Sequence, residues 1–229
     1  ALPIYENPYE FTAIQLQNTR QLTAGGHYTV CLPYSLLLPV SLKAYIPSAS
    51  SANVIGFMEA VGTLDAFKPY VVVPSATGQW LSVNAVTVPR TAPAFTTDAL
   101  ARSLNPRNVG TLTMYGTMRY MDGGDAKELY IMQGTKTWAK IADENGAFTN
   151  TSKKYCILPM RAYLKNPSES GASRYLSATF TDIDGTVRAY DLQLDEAIQD
   201  DALYDLTGRR IESPRRGNIR VSRHRKYLP

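Results

Sequence analysis

Short apolar, β-branched and aromatic runs recur along the chain at Tyr28 to Leu32, Tyr70 to Val73, Leu129 to Met132, Tyr155 to Leu158, Leu176 to Phe180 and Val187 to Leu194. Runs of this length, bounded by turn residues, predict strands. Asp122-Gly123-Gly124, Asn145-Gly146 and Asp184-Gly185 punctuate them. Asn-Gly and Asp-Gly favour the type I′ turns whose twist matches a hairpin, so the expected connectivity is a series of antiparallel hairpins. A single short helix is expected, starting near Thr97-Asp98, carrying Leu100 and Leu104 one turn apart, and stopping at Asn105-Pro106.

The runs are related to one another. Tyr70 to Pro74 and Tyr155 to Pro159 each read as Tyr, three apolar residues and Pro. Lys43-Ala44-Tyr45 recurs as Arg161-Ala162-Tyr163, and Val61-Gly62-Thr63-Leu64 as Val109-Gly110-Thr111-Leu112. Each Val-Gly-Thr-Leu segment leads towards a Tyr-headed hairpin ending in Trp, from Tyr70 to Trp80 and from Tyr130 to Trp138. Internal similarity of this kind points to repeated supersecondary units. The expected fold is all-β: two related antiparallel β-sandwich-like lobes over 1–94 and 95–194, with an acidic linker and a small β-rich C-terminal tail over 195–229. The same pattern is compatible with one continuous sandwich in place of two lobes.

Composition adds little to the fold but narrows the chemistry. The 229 residues are 44% hydrophobic and 19% charged, with 14 Pro and 15 Gly, which is enough to bury a core without metal or disulfide support. The net charge of +4 is unevenly spread: from Gly208 onward eight Lys or Arg face the single Glu212, whereas sixteen basic and nineteen acidic residues precede them. The basic residues form a terminal run and not a stripe across the fold, which removes the simplest reason to expect a nucleic-acid partner. No run approaches the roughly 18 apolar residues of a membrane-spanning helix, so no transmembrane segment is expected.

Catalytic and metal-binding patterns do not assemble in the sequence. Cys31 and Cys156 are too few for a zinc site and sit in apolar runs, as buried free thiols or one disulfide. His27, beside Gly25-Gly26, is expected in an exposed loop, and His224 lies in the basic tail. Asp182-Ile183-Asp184-Gly185 resembles the start of a calcium loop, but its twelfth position is Gln193 and not Glu, and hairpin-turn chemistry explains it. No metal, no cofactor and no catalytic residue are expected. Aromatic residues supply the binding candidates: Trp80 and Trp138, with Tyr70 and Tyr130, could stack on sugar rings if exposed, or pack the core.

The tail contains Tyr204-Asp205-Leu206-Thr207-Gly208-Arg209, followed by Gly217. Three short strands are expected there, over Leu203–Leu206, Arg209–Ile211 and Ile219–Val221, either as an address or as a β-extension docked on the second lobe. This segment, on Tyr204, Asp205, Leu206, Gly208, Arg209 and Gly217, resembles the C-terminal sorting-type tails of exported Bacteroidetes proteins. Cys31-Leu32-Pro33-Tyr34 and Leu158-Pro159-Met160-Arg161-Ala162-Tyr163 are similar to uncharacterised β-modules in surface proteins of gut members of that phylum. The resemblance implies secretion or cell-surface location at the outer membrane. The expected function is therefore a non-catalytic adhesion or scaffold protein of the cell surface, and the alternative is a glycan-binding accessory module. The expected partner is a polysaccharide or a surface protein, with weak contact of the basic tail to an anionic cell surface.

Overall fold

The structure, a computed structural model, describes residues 9–51, 53–90, 106–132, 137–141, 155–166 and 175–190, together with four short strand segments of the tail. The expected helix near Thr97 to Leu104 and the Asn145-Gly146 turn lie outside these residues. The chain is almost wholly β and forms two compact units, Ala1–Leu192 and Gln193–Pro229.

In the first unit the strands are β1 (Phe11–Leu16), β2 (Tyr28–Cys31), β3 (Leu36–Leu37), β4 (Leu42–Ser50), β5 (Val54–Ala60), β6 (Thr63–Leu64), β7 (Pro69–Pro74) and β8 (Val83–Val88). They continue as β9 (Arg107–Val109), β10 (Leu112–Thr117), β11 (Tyr130–Met132), β12 (Trp138–Lys140), β13 (Arg161–Lys165), β14 (Tyr175–Thr181) and β15 (Val187–Tyr190). A four-residue helix, α1 (Gly123–Ala126), stands before β11. One sheet runs β2-β7-β4-β5-β14-β12-β11-β13-β10-β9, with β15 paired to β14 beside it. The β1–β8 pair and the β3–β6 pair form separate small sheets.

All neighbours in the large sheet are antiparallel except β5 and β14, which pair in parallel from Val54 with Ser177 to Met58 with Thr181. Every described pairing within 1–94 and within 95–194 is antiparallel, as expected, and the parallel seam joins the two ranges. Strands from both halves of the sequence share one sheet across it. The sheet curls until its ends meet: the Arg107 Nε donates to the Pro69 carbonyl at 3.0 Å, and the Cys31 N–H to the Met160 carbonyl at 3.2 Å.

Burial follows from strand alternation. β7 reads Pro-Tyr-Val-Val-Val-Pro because both its faces are covered. Tyr70 and Val72 face a layer completed by Val86 and Val88 of β8. Val71 faces the concave side of the curled sheet with Phe57, Leu112, Trp138 and Phe180. A third cluster, of Met121, Ala126, Leu129, Ala139, Ile157 and Tyr163, sits under α1. Gly116 permits a close approach of β10 to β2, since a Cβ there would overlap Cys31 Sγ and Cβ.

Several expected turns and strands come out differently. Asp122-Gly123-Gly124 starts α1 and not a hairpin, because the Asp122 side chain accepts from the Asp125 N–H at 3.0 Å and caps the helix. Tyr155 to Leu158 forms no strand beyond a single bridge from Ile157 to Met121. β7 and β8 do not pair with each other, so Trp80 stands in a turn and not at a hairpin end. By contrast Asp184-Gly185 does turn the β14–β15 hairpin, with Gly185 at φ 82° and the Asp182 N–H donating to the Thr186 carbonyl.

In the second unit β16 (Leu203–Tyr204), β17 (Arg210–Ile211), β18 (Arg220–Val221) and β19 (Lys226–Tyr227) form an antiparallel sheet in the order β17-β16-β18-β19. Three strands are expected there, and four are present among the described residues. β16 lies between β17 and β18, so a simple meander is not formed.

Candidate functional site

The expected aromatic platform is not assembled. Trp138 and Tyr130 are 0% exposed and Tyr70 is 4% exposed. Trp138 lies parallel to Phe57, with centroids 6.0 Å apart, and Phe57 stacks in turn on Phe180 at 4.9 Å. Three large rings on adjacent strands bury far more apolar surface inside the curled sheet than they would against a ligand, which is why they pack inward. Tyr70 is covered on its own layer, and its hydroxyl accepts from the Asp65 N–H at 3.1 Å. Trp80 is partly buried, its Nε1 donating to the Ala76 carbonyl at 2.8 Å. His27 is likewise buried, edge-on to the Phe180 ring at 4.7 Å, and not an exposed loop residue. Of the tail residues, Tyr204 pairs with Arg210 and Val221; Asp205, Leu206, Gly208, Arg209 and Gly217 lie outside the described residues.

Two charged groupings take the place of that platform. In the first, Asp182 is buried at the start of the β14–β15 turn and every partner is a donor. The Tyr45 hydroxyl donates to Oδ1 at 2.6 Å, while Lys43 Nζ and Arg188 Nη2 each lie 3.1 Å from Oδ2. Lys43 also reaches Glu59 Oε2 at 3.3 Å, and that oxygen accepts the Ile183 N–H at 2.9 Å. The Tyr45 hydrogen bond, ahead of the charges of Lys43 and Arg188, holds Asp182 below its usual carboxylate range. Burial, and after it the same contact, push the Tyr45 phenol up. This network ties the β14–β15 turn to β4 and β5, and both carboxylate oxygens of Asp182 are engaged.

The second grouping is a cleft where β2 comes alongside β13. A hollow of about 310 Å³ lies between the start of β2, the β11 strand and the Tyr155–Leu158 segment, and a second of about 270 Å³ adjoins it over Leu81, Pro159 and Met160. Arg20, Leu158 and Arg161 line both. Arg20 is held in place: its Nη1 donates to the Thr29 carbonyl at 2.9 Å and its guanidinium sits 5.0 Å over the Tyr28 ring. The neighbouring Met160 has φ 61°, a left-handed conformation that costs a non-glycine residue about 1 kcal/mol or more. Two hydrogen bonds hold it there, its N–H to the Thr117 carbonyl at 2.7 Å and its carbonyl from the Cys31 N–H.

Arg161 is the unusual member. It opens β13 opposite Thr117, its Nη1 is shielded from solvent, and that nitrogen has no hydrogen-bond partner. Burial alone lowers its pKa to about 10, so it stays charged at neutral pH. None of the described residues lining either hollow is Asp or Glu. A buried cation ordinarily needs a counter-charge or hydrogen-bond acceptors. The described lining of the cleft thus brings two guanidiniums together with no carboxylate, an arrangement that suits a carboxylate or another anion.

Neither Arg20 nor Arg161 is among the site residues expected from sequence. Arg161 stands inside the recognised Arg161-Ala162-Tyr163 repeat, yet its lack of a partner is a property of three dimensions. Cys156, also on the cleft wall, is a free thiol, as is the buried Cys31, whose thiol burial pushes up. Comparison of the chain with protein-family models, with curated proteins and with solved structures finds no match.

Proposed function

We propose that this chain is a non-catalytic adhesion or scaffold protein of the cell exterior, and that it holds its partner through an anionic group seated between Arg20 and Arg161. The observation that carries the reading is that Arg20 and Arg161 line both hollows with no Asp or Glu among the described lining residues. A binding cleft needs only such a preorganised, unsatisfied donor set, whereas acid–base or nucleophilic chemistry needs a positioned group with an activating neighbour. The buried carboxylate nearest to that description, Asp182, already accepts from Tyr45 and faces Lys43 and Arg188. The resemblance of the tail to sorting-type segments supports the exported location, and its basic run supports weak adhesion to an anionic surface.

The test is biolayer interferometry of the full chain against immobilised poly-L-glutamate and polygalacturonate, beside the Arg20→Met, Arg161→Met double variant. The basic tail is unchanged in both proteins, so the difference between them isolates the cleft. Binding to at least one polymer that weakens tenfold or more in the variant is the expected result. Binding indifferent to the substitutions, or none at all, would sink the reading.

A further inference from the structure

Resting on that assignment of the cleft, we infer that its ligand is a peptide presenting a carboxylate next to a large apolar side chain. The two hollows differ in lining on either side of the shared guanidiniums. The second holds Leu81, Leu158, Pro159 and Met160, with only Asn18 added to the two arginines. Asn18 is itself occupied: its Oδ1 accepts the Arg20 N–H at 3.0 Å, and its Nδ2 points at Met160 Sδ at 3.9 Å.

A sugar ring in this hollow would bury several hydroxyls against four apolar side chains, with only the two guanidiniums at one side to meet them, and each hydroxyl left unpaired would carry a desolvation cost. A leucine- or phenylalanine-sized side chain fits the same walls, and the flexible thioether of Met160 adapts to its shape. The carboxylate then lies at the waist, beside the guanidiniums of Arg20 and Arg161 that line both hollows. The first hollow, with Tyr28 and Tyr155 on its walls, takes the adjoining stretch of peptide. Such a group arises in two ways: the terminal carboxylate of a chain ending in an apolar residue, or an Asp or Glu side chain beside one.

Fluorescence polarisation with labelled hexapeptides in a Gly-Ser frame separates these sources. The probes end in Leu as the free acid, end in Leu as the amide, or carry internal Glu-Leu, Gln-Leu or Glu-Ser. The expected result is binding by the free-acid Leu peptide, by the Glu-Leu peptide, or by both, lost at least tenfold in the amide, Gln-Leu and Glu-Ser controls. Arg161→Met and, independently, Leu158→Asp should each raise Kd tenfold or more. Leu158 is 47% exposed, so the second variant places a negative charge on the shared wall without disturbing the core. Oligogalacturonate that binds through Arg161 while every peptide fails would overturn the peptide assignment and leave the anion cleft standing. Failure of both probes would remove the cleft reading as well. Peptide binding that ignores Leu-to-Ser replacement would refute the role of the apolar hollow.

Discussion

Lys43-Ala44-Tyr45 on β4 and Arg161-Ala162-Tyr163 on β13 are the same three-residue pattern put to opposite uses. On β4, Tyr45 joins the concave core and Ala44 the layer outside it. On β13 the faces are exchanged, with Ala162 in the concave core and Tyr163 in the cluster under α1. The cation travels with its tyrosine. Lys43 therefore meets Glu59 and Asp182, whereas Arg161 emerges beside β2 in a cleft lined by no carboxylate among the described residues. A repeated motif is thus no guide to repeated chemistry: the facing strands decide whether a charge is consumed by the fold or left for a partner.

The comparison can be broken most severely at its anchor. Asp182→Ala removes the acceptor shared by Tyr45, Lys43 and Arg188, and urea unfolding should show a loss of about 3 kcal/mol. If the loss is negligible, the network does not hold the β14–β15 turn, and the contrast with Arg161 disappears. A sharper version exchanges each cation for an apolar residue of similar length. Lys43→Met should destabilise by about 1–2 kcal/mol, since it takes a donor from two carboxylates. Arg161→Met should stay within about 0.5 kcal/mol of wild type or gain stability, because it removes a half-buried charge whose Nη1 has no partner. Equal losses at both positions would mean that Arg161 is structural.

The smallest effects are in the pH dependence, and they have opposite locations. Asp182 is held below its ordinary value, so its contribution is present at neutral pH and lost as pH falls through its lowered pKa. The stability gap between wild type and Asp182→Asn should therefore close in acid. Burial lowers Arg161 from its ordinary value to about 10, so the unfolded chain binds the extra proton above that pH. Its penalty is constant below about pH 10 and is relieved above it, so stability relative to Arg161→Met should rise there. Thermal melts of the paired proteins at stepped pH read both, and a flat difference for either pair would contradict its assignment.

The strand content of this fold is legible in the sequence wherever alternation or a doubly buried run is local, as in β7, β11 and β14. The Asp184-Gly185 turn is legible for the same reason: its geometry depends on two adjacent residues. What escapes is everything that depends on which distant segment comes alongside. Tyr155 to Pro159 matches Tyr70 to Pro74 in residue type, but it has no two flanking strands, and it becomes a cleft wall. Trp138 and Tyr130 read equally well as a binding face or a core, and only the curl of the sheet turns them inward. Arg161 was visible in its motif, while its lack of a partner depends on the parallel seam and on the approach of β2 that Gly116 permits.

That seam also has a consequence for biosynthesis. The open edge of β5 at Val54 waits for its partner at Ser177, and at about 5–20 residues per second the wait on a ribosome is on the order of ten seconds. During that interval the first half of the chain cannot complete its sheet, so the nascent polypeptide keeps an unpaired strand edge open to holding chaperones.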